Sequence, residues 1–210
     1  MHKRGLITIA LILMLTAVGQ AQSVIKIKVG TFNPKDAKAG FIVGISTGRQ
    51  VDERVDFGIG VDLFIRRFTQ KSEVEIDTTS NNLEDPTTFK TDLSYSMYGL
   101  PIMVHIDVRI LPNAIVIPYA GIAGGYELLF SCEANYLEDK KDNRLYGGFG
   151  WQATVGAEYP FGSASAILGE ILYNGCTLSR SQGSSEAGFP LHEELDFSGL
   201  GFRLGIRLGG

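Results

Sequence analysis

Between Val55 and Ile65 every second residue is apolar: Val55, Phe57, Ile59, Val61, Leu63 and Ile65. The positions between them hold Asp56, Gly58, Gly60, Asp62 and Phe64, and Arg66 follows. Successive side chains of a strand point to opposite faces, so this segment has one apolar face and one that accepts charge. The same alternation recurs along the chain. Phe41, Val43 and Ile45 oppose Gly40, Gly44 and Ser46, and the even positions from Leu100 to Ile110 oppose Met103, His105, Asp107 and Arg109. Leu145, Phe149, Trp151 and Val155 oppose Tyr146, Gln152, Thr154 and Glu158, and Leu200 to Leu208 oppose Arg203 and Arg207. Extended segments are predicted over 24–32, 39–50, 54–72, 92–110, 115–131, 145–160, 164–179 and 196–208. No stretch sustains a 3.6-residue period, so the expected fold is all-β.

A soluble sheet with one wet face would alternate in the same way. The connections separate the two cases. Tight turns surround 51–53, 111–114 and 160–163, whereas longer polar loops fall at 33–38, 73–91, 133–144 and 180–195. Long and short strictly alternate. An up-and-down meander therefore carries every short turn at one end and every long loop at the other, with both termini at the short-turn end. That asymmetry is the pattern of outer-membrane barrels. Hydrocarbon cannot satisfy unpaired backbone groups, so a spanning sheet must close on itself. The expectation is an eight-stranded antiparallel up-and-down transmembrane β-barrel, apolar outside and mixed inside.

The first residues fit an exported chain. His2, Lys3 and Arg4 precede an apolar run from Leu6 to Val18, and small residues follow at Val18-Gly19-Gln20-Ala21. This is the layout of a secretory signal peptide, expected over 1–22, with one barrel domain over 23–210. Loss of Lys3 and Arg4 takes the formal net charge from −4 to −6. That mild acidity argues against a nucleic-acid partner.

Inward parity collects the charges in one place: Lys26, Lys28, Asp56, Asp62, Arg66, Asp107, Arg109, Glu127, Glu158, Glu170, Arg203 and Arg207, with His105 among them. Six are positive and six negative. Side chains just fill the interior of an eight-stranded barrel, so these charges are expected to pair. Arg203 is expected to meet Glu170 on a neighbouring strand. Ser94 to Tyr98 do not phase with Leu100 onward, and a bulge near Gly99-Leu100-Pro101 is the expected cause.

Conventional chemistry is sparse. His105 is the one histidine in a predicted spanning segment, and Ser94 and Ser96, the serines of its strand, lie at the far end. No catalytic residue, cofactor or metal site is assigned. The acidic loop runs Glu73, Glu75, Asp77; Glu138, Asp139, Asp142; and Glu193, Glu194 are read as solvated faces. Cys132 and Cys176 are either a disulfide or two free thiols. Tyr95, Tyr98, Tyr126, Phe130, Phe149, Trp151 and Tyr159 fit interfacial girdles or ordinary strand preference.

Three stretches carry a family resemblance. SMYGLPIMVHIDVRI resembles the Leu-Pro strand of the outer-membrane β-barrel domain family, in the OmpA/OmpX-like group. IPYAGIAGGYELL resembles its Pro-Tyr-x-Gly-x-Gly strand, and ILGEILYNGCTL its Glu-x-x-Tyr strand. The resemblance implies insertion by the barrel assembly machinery into a Gram-negative-type outer membrane, with outer-membrane lipid as the surroundings. The final Leu208-Gly209-Gly210 departs from the aromatic ending common in such chains. The expected role is structural or a surface interaction with an extracellular ligand through the long loops, without enzymatic activity. The alternatives are a lipid-modifying enzyme or narrow pore on the same fold, and a soluble lipocalin-like barrel with the apolar face turned inward.

Overall fold

Alternation gives each strand a face that leaves water, and only a closed sheet lets every strand within that layer find two neighbours. A computed structural model describes residues 22–74, 88–135, 140–162, 164–184 and 190–209. The expected signal peptide lies, except for Gln22, outside the described residues. Strands run β1 Gln22–Pro34, β2 Gly40–Asp52, β3 Val55–Val74, β4 Thr88–Arg109, β5 Ile117–Asn135, β6 Lys140–Pro160, β7 Ser165–Ser184, β8 Pro190–Asp196 and β9 Gly199–Leu208. Consecutive strands from β1 to β7 pair antiparallel, and β9 closes the ring by pairing with both β7 and β1.

Strands β8 and β9 form one stave of an eight-stave barrel. The pairing Thr177↔Asp196 on β8 and Asn174↔Gly199 on β9 keep the same register against β7. Only Phe197 and Ser198 interrupt it. The expected eighth segment thus starts at Pro190 rather than at 196, because the polar run before it continues the ladder. Likewise, most of the loop expected over 133–144 is the upper part of the β5–β6 hairpin, paired up to Asn135↔Lys140. The backbone ladder continues there through residues whose polarity alone reads as loop.

The expected bulge at Gly99–Pro101 is absent. Val61↔Ile102 and Phe64↔Gly99 share one register, and the shift on this pair lies at Gln70/Lys71. Parity is continuous: Met97 and Met103 point inward and are buried. The mismatch in sequence arises because β4 outruns the apolar layer, so its outward Ser94 and Ser96 no longer need to be apolar.

The outer wall is apolar. Phe57, Ile59, Leu63, Ile102, Val104, Ile106, Val155, Ile171, Phe202 and Leu204 are exposed, while Asp56, Asp62, Arg203 and Arg207 are buried. A lipocalin-like arrangement requires the reverse. From Leu100 to Ile110 the strand rises about 33 Å, which at a tilt of about 40° covers about 25 Å. That matches the height of a hydrocarbon-facing band. Tyr126, Phe130, Phe149, Trp151 and Tyr159 all lie on this outer face.

The barrel is lopsided above the band. β1 and β2 have 13 residues each, and their hairpin closes just past Pro34, whereas β3 to β7 have 19 to 22. Asp196 fastens the interrupted stave to this short hairpin. Its carboxylate accepts from the Ser198 N–H at 2.9 Å and from Lys35 Nζ at 3.1 Å, while Asp36 accepts from the Asp196 N–H at 2.7 Å. Hydrogen bonds from Ser198, and then from Lys35, hold the Asp196 carboxyl down at about 2.

Two outcomes follow from this architecture. Val104→Arg, in the middle of the outward band, is expected to destabilise the barrel in lipid by about 2–4 kcal/mol, read from denaturant unfolding in vesicles. The Asp196 carboxyl of the tether has a depressed pKa in the folded state. It therefore holds above the ordinary aspartate value of 3.8 and is lost as pH falls to about 2. The Asp36 and Ser198 amide resonances should shift together over that interval.

Candidate functional site

The lumen holds the chain's concentration of chemistry, in three tiers. At the short-turn end, Lys26 on β1 places Nζ 2.8 Å from Asp107, 3.2 Å from Asp56 and 3.9 Å from Glu158. Arg109 on β4 reaches Asp56 at 2.8 Å and Glu158 at 3.3 Å, and donates to the Glu53 carbonyl at 2.9 Å. Arg207 on β9 stands directly opposite Lys26, a like-charge pair tolerable only because acids from across the lumen come between. Its Nε lies 3.6 Å from Asp56 and 3.9 Å from Glu158, and its Nη2 donates to Gln50 at 3.1 Å. Three cations thus face three carboxylates. An open vestibule of about 270 Å³ beneath this tier is lined by Gln50, Glu53, Arg109, Glu158 and Arg207.

The middle tier is built on Arg203. Its Nη1 lies 2.8 Å from Asp62 and its Nε 2.5 Å from Glu170. Glu170 also takes Lys28 at 3.1 Å and a hydrogen bond from the Tyr119 hydroxyl at 2.5 Å. The Tyr119 ring lies 5.6 Å from Lys26 Nζ and links the two tiers. Two acids again balance two cations. The ion pair between Arg203 and Glu170 is a direct cross-strand pair, as expected from the sequence.

Glycines on neighbouring strands make the room. Gly44 lies opposite Asp62, and Gly121 opposite Asp107. A Cβ at either position would collide with the facing carboxylate oxygen. Each carboxyl therefore lies flat over a bare backbone and leaves the centre of the lumen to the long cations.

The upper tier is apolar, which inward charge counting missed. Phe32, Ile42, Phe64, Met97, Leu129, Tyr146, Leu172, Cys176, Leu178 and Phe197 form one buried cluster inside the barrel. Phe32, Phe64 and Phe197 meet edge to face in a closed triangle, with centroids 5.3 to 5.8 Å apart. Each such pair contributes about 0.5–1.5 kcal/mol beyond its buried area. The signal was present in the sequence, since Phe32, Phe64, Met97 and Leu129 are apolar residues at inward positions near the loop end.

Two residues counted with the lumen charges stand apart. Arg66 lies above the apolar tier and makes no ion pair among the described residues, its Nε buried without a partner. Glu127 is 1% exposed and faces Asn174 rather than a cation. The ionic network is therefore five against five rather than six against six. His105 lines a cavity of about 30 Å³ with Ser46, Asp62 and Asp107, its Nε2 3.8 Å from Asp107. That space suits about two waters. Ser46, on β2, is the serine nearest in setting to His105, a neighbour that reading along one strand did not find. Cys132 is exposed and Cys176 buried, both free. They sit on opposite faces with β6 between them, so the disulfide alternative does not hold. Of the acidic loop runs, Glu75, Asp77, Glu138 and Asp139 lie outside the described residues. Asp142 and Glu193 both meet Arg144, at 2.8 and 3.4 Å.

Removing one partner from a buried pair leaves the other charge uncompensated. Arg203→Met removes the ion-pair partner of Asp62 and leaves Glu170 with Lys28 and Tyr119, so it is expected to cost about 3–5 kcal/mol in unfolding measured in lipid vesicles.

No protein-family model matches the sequence, and no curated protein does. Solved structures are similar in shape. The outer membrane protein OprG of Pseudomonas aeruginosa is 10% identical, with a TM-score of 0.56 over 90% of this chain and 96% of that one. Ail, the attachment invasion locus protein of Yersinia pestis, is 12% identical, with a TM-score of 0.51 over 90% of this chain and 99% of that one. A second Ail structure, in complex with the heparin analogue sucrose octasulfate, has a TM-score of 0.50 at 13% identity over the same shares. At such identities the likeness is one of fold. The chain has the closed, eight-stranded antiparallel barrel fold of small, OmpA/OmpX-like outer-membrane proteins.

Proposed function

We propose that this protein resides in a Gram-negative-type outer membrane as a non-conducting, non-enzymatic barrel that acts through its loop end. The filled lumen carries the reading. Five cations are neutralised by five carboxylates in the lower tiers, and an aromatic triangle closes the tier above. A pore needs a continuous water path, and a lipid-modifying enzyme needs a nucleophile and base open to acyl chains. The space beside His105 and Ser46 is about 30 Å³, too small for such a substrate. The apolar outer band and the leader-like first residues support export and membrane insertion, and the barrel assembly machinery is the partner that this implies.

What remains free to act is the tall side of the barrel, where β3 to β8 extend past the apolar band. Arg67 is exposed there over the Tyr98 ring, and on the neighbouring short β1–β2 hairpin Lys38 is exposed over the Phe68 ring. A surface of this kind suits an extracellular ligand. The sulfated heparin analogue bound to Ail makes an anionic polysaccharide a concrete candidate class.

The reading is tested by three measurements on one preparation. The protein should fractionate with the outer membrane and change gel mobility on boiling. It should show no resolvable conductance in planar bilayers, and its overexpression should leave lipid A unchanged by mass spectrometry, with His105→Ala indistinguishable. Stable channels would defeat the sealed-lumen reading, and modified lipid A that disappears in His105→Ala would make the chain an enzyme.

A further inference from the structure

The short turns of the barrel differ in polarity. Asp52, Glu53 and Arg54, where β2 passes into β3, are charged and exposed. The connection from β4 to β5 is apolar instead: Leu111, Ile115 and Val116 are all exposed, Ile115 to 82%. Phe161, just after β6, is exposed as well. These side chains continue the outward face of Ile110 and Tyr159 past the strand ends. Large apolar groups are unfavourable in water, and lipid removes that cost. The membrane therefore reaches down to the turns on the β4–β7 side, whereas it stops at the charged turn on the β2–β3 side.

The vestibule beneath the lower tier opens between the two apolar turns. Pro112 and Asn113 wall it on one side, Gly162 and Ala164 on the other, and its volume is about 270 Å³. Arg109 and Arg207 supply two cations to its lining, and Glu53 and Glu158 two carboxylates. Arg207 is 8% exposed, and its Nε is buried without a hydrogen-bond partner. Glu53 gives its backbone carbonyl to Arg109, while its carboxylate forms no ion pair among the described residues. A simple anion in this space would meet Glu53 and Glu158, and a simple cation would meet Arg109 and Arg207. A group that carries both charges on one short chain answers the two signs together.

We propose that the vestibule is a headgroup site for a zwitterionic phospholipid of the periplasmic leaflet, of the phosphoethanolamine class. The phosphate lies toward Arg207 and the primary ammonium toward Glu53. The acyl chains stay outside, over Leu111, Ile115, Val116 and Phe161, in the same hydrocarbon that covers the outer band. An ammonium has three donors, and a quaternary amine has none, so ethanolamine is favoured over choline. A headgroup with phosphate and no amine leaves Glu53 facing its own sign of charge. This inference rests on the membrane residence proposed above and is independent of the role of the loops.

The test uses full-length protein refolded in detergent with equal amounts of phosphatidylethanolamine, phosphatidylcholine and phosphatidylglycerol, then washed and weighed by native mass spectrometry. Phosphatidylethanolamine should be retained over either competitor by at least about tenfold, the worth of one hydrogen bond to a charged group. Glu53→Gln, which keeps the backbone carbonyl, should bring phosphatidylethanolamine and phosphatidylglycerol to parity. Ile115→Ser combined with Phe161→Ser should lower lipid retention by at least about tenfold through lost apolar contact. Both variants are confirmed as folded by heat-modifiable mobility. Barrels that keep no lipid, or all three lipids alike, overturn the site, as does a preference unchanged in Glu53→Gln. Retention of soluble glycerophosphoethanolamine without retention of the lipid overturns the membrane source. A wild-type chain that fails to insert into vesicles removes the membrane placement itself, a result distinct from an inserted barrel that holds no lipid.

Discussion

Hydrocarbon offers a peptide group nothing to bond to, and the rest of this barrel follows from that. A sheet in contact with such a medium has to close, and closure turns one face of every strand outward. The outward face loses most of its charges, so the charges at the band's height collect inside. There the interior is narrow, and burial of any one charge is affordable only beside its opposite. The tiers of Lys26, Arg109 and Arg207 with Asp56, Asp107 and Glu158, and of Lys28 and Arg203 with Asp62 and Glu170, are the consequence. The charges neutralise one another across the lumen more than along neighbouring strands. The network therefore ties opposite walls together, in addition to the backbone ladder.

Polarity changes along the barrel axis for a related reason. At the short-turn end the lumen opens to water through a vestibule that reaches Arg109, Glu158 and Arg207. Toward the loop end the walls rise past the band, and water would reach the centre from above. The aromatic triangle of Phe32, Phe64 and Phe197 sits at that level. It shields the Arg203 tier from bulk water above, which lowers the local dielectric and strengthens the pairs it covers. The ionic and apolar parts of the lumen thus support one another. The position of Phe197 depends on the break in the last stave, which Ser198 and Asp196 hold in place.

Much of this could be read from the order of residues, because an imposed apolar medium writes a two-residue period that few other environments sustain. The stave count and the direction of each face came from Val55–Ile65 and its counterparts, and the short-turn end from the alternation of short and long connections. So did the inward position of Asp56, Asp62, Arg203 and Arg207. Legibility stopped where the medium stopped. Above the band, Ser94 and Ser96 face outward into water, so polarity no longer tells face from face and a continuous strand looks like a bulge. The run before Asp196 looks like a loop for the same reason. Pairing across the lumen was also out of reach. Parity tells that Lys26 and Asp107 both point in, but strands three apart in the ring meet only once closure is given. The same holds for Ser46 beside His105, and for Glu127 with Asn174.

A sealed and balanced interior limits what such a protein can do. Conduction requires the tiers to separate, yet Lys26, Arg109, Arg203 and Arg207 are each held by carboxylates from more than one strand. Displacing Arg203, for example, would unpair Asp62 and break one of the two ion pairs of Glu170. Mobility is available only where walls are not tied across the lumen, and that condition is met above the aromatic triangle. There β1 and β2 end early while the other staves continue, so the rim is high on one side and low on the other. The high side carries the surface that can vary without disturbing the ionic tiers, and the low side exposes Phe68 beneath Lys38. The same closure that stabilises the lumen thus concentrates the accessible, adaptable surface at one end of the molecule.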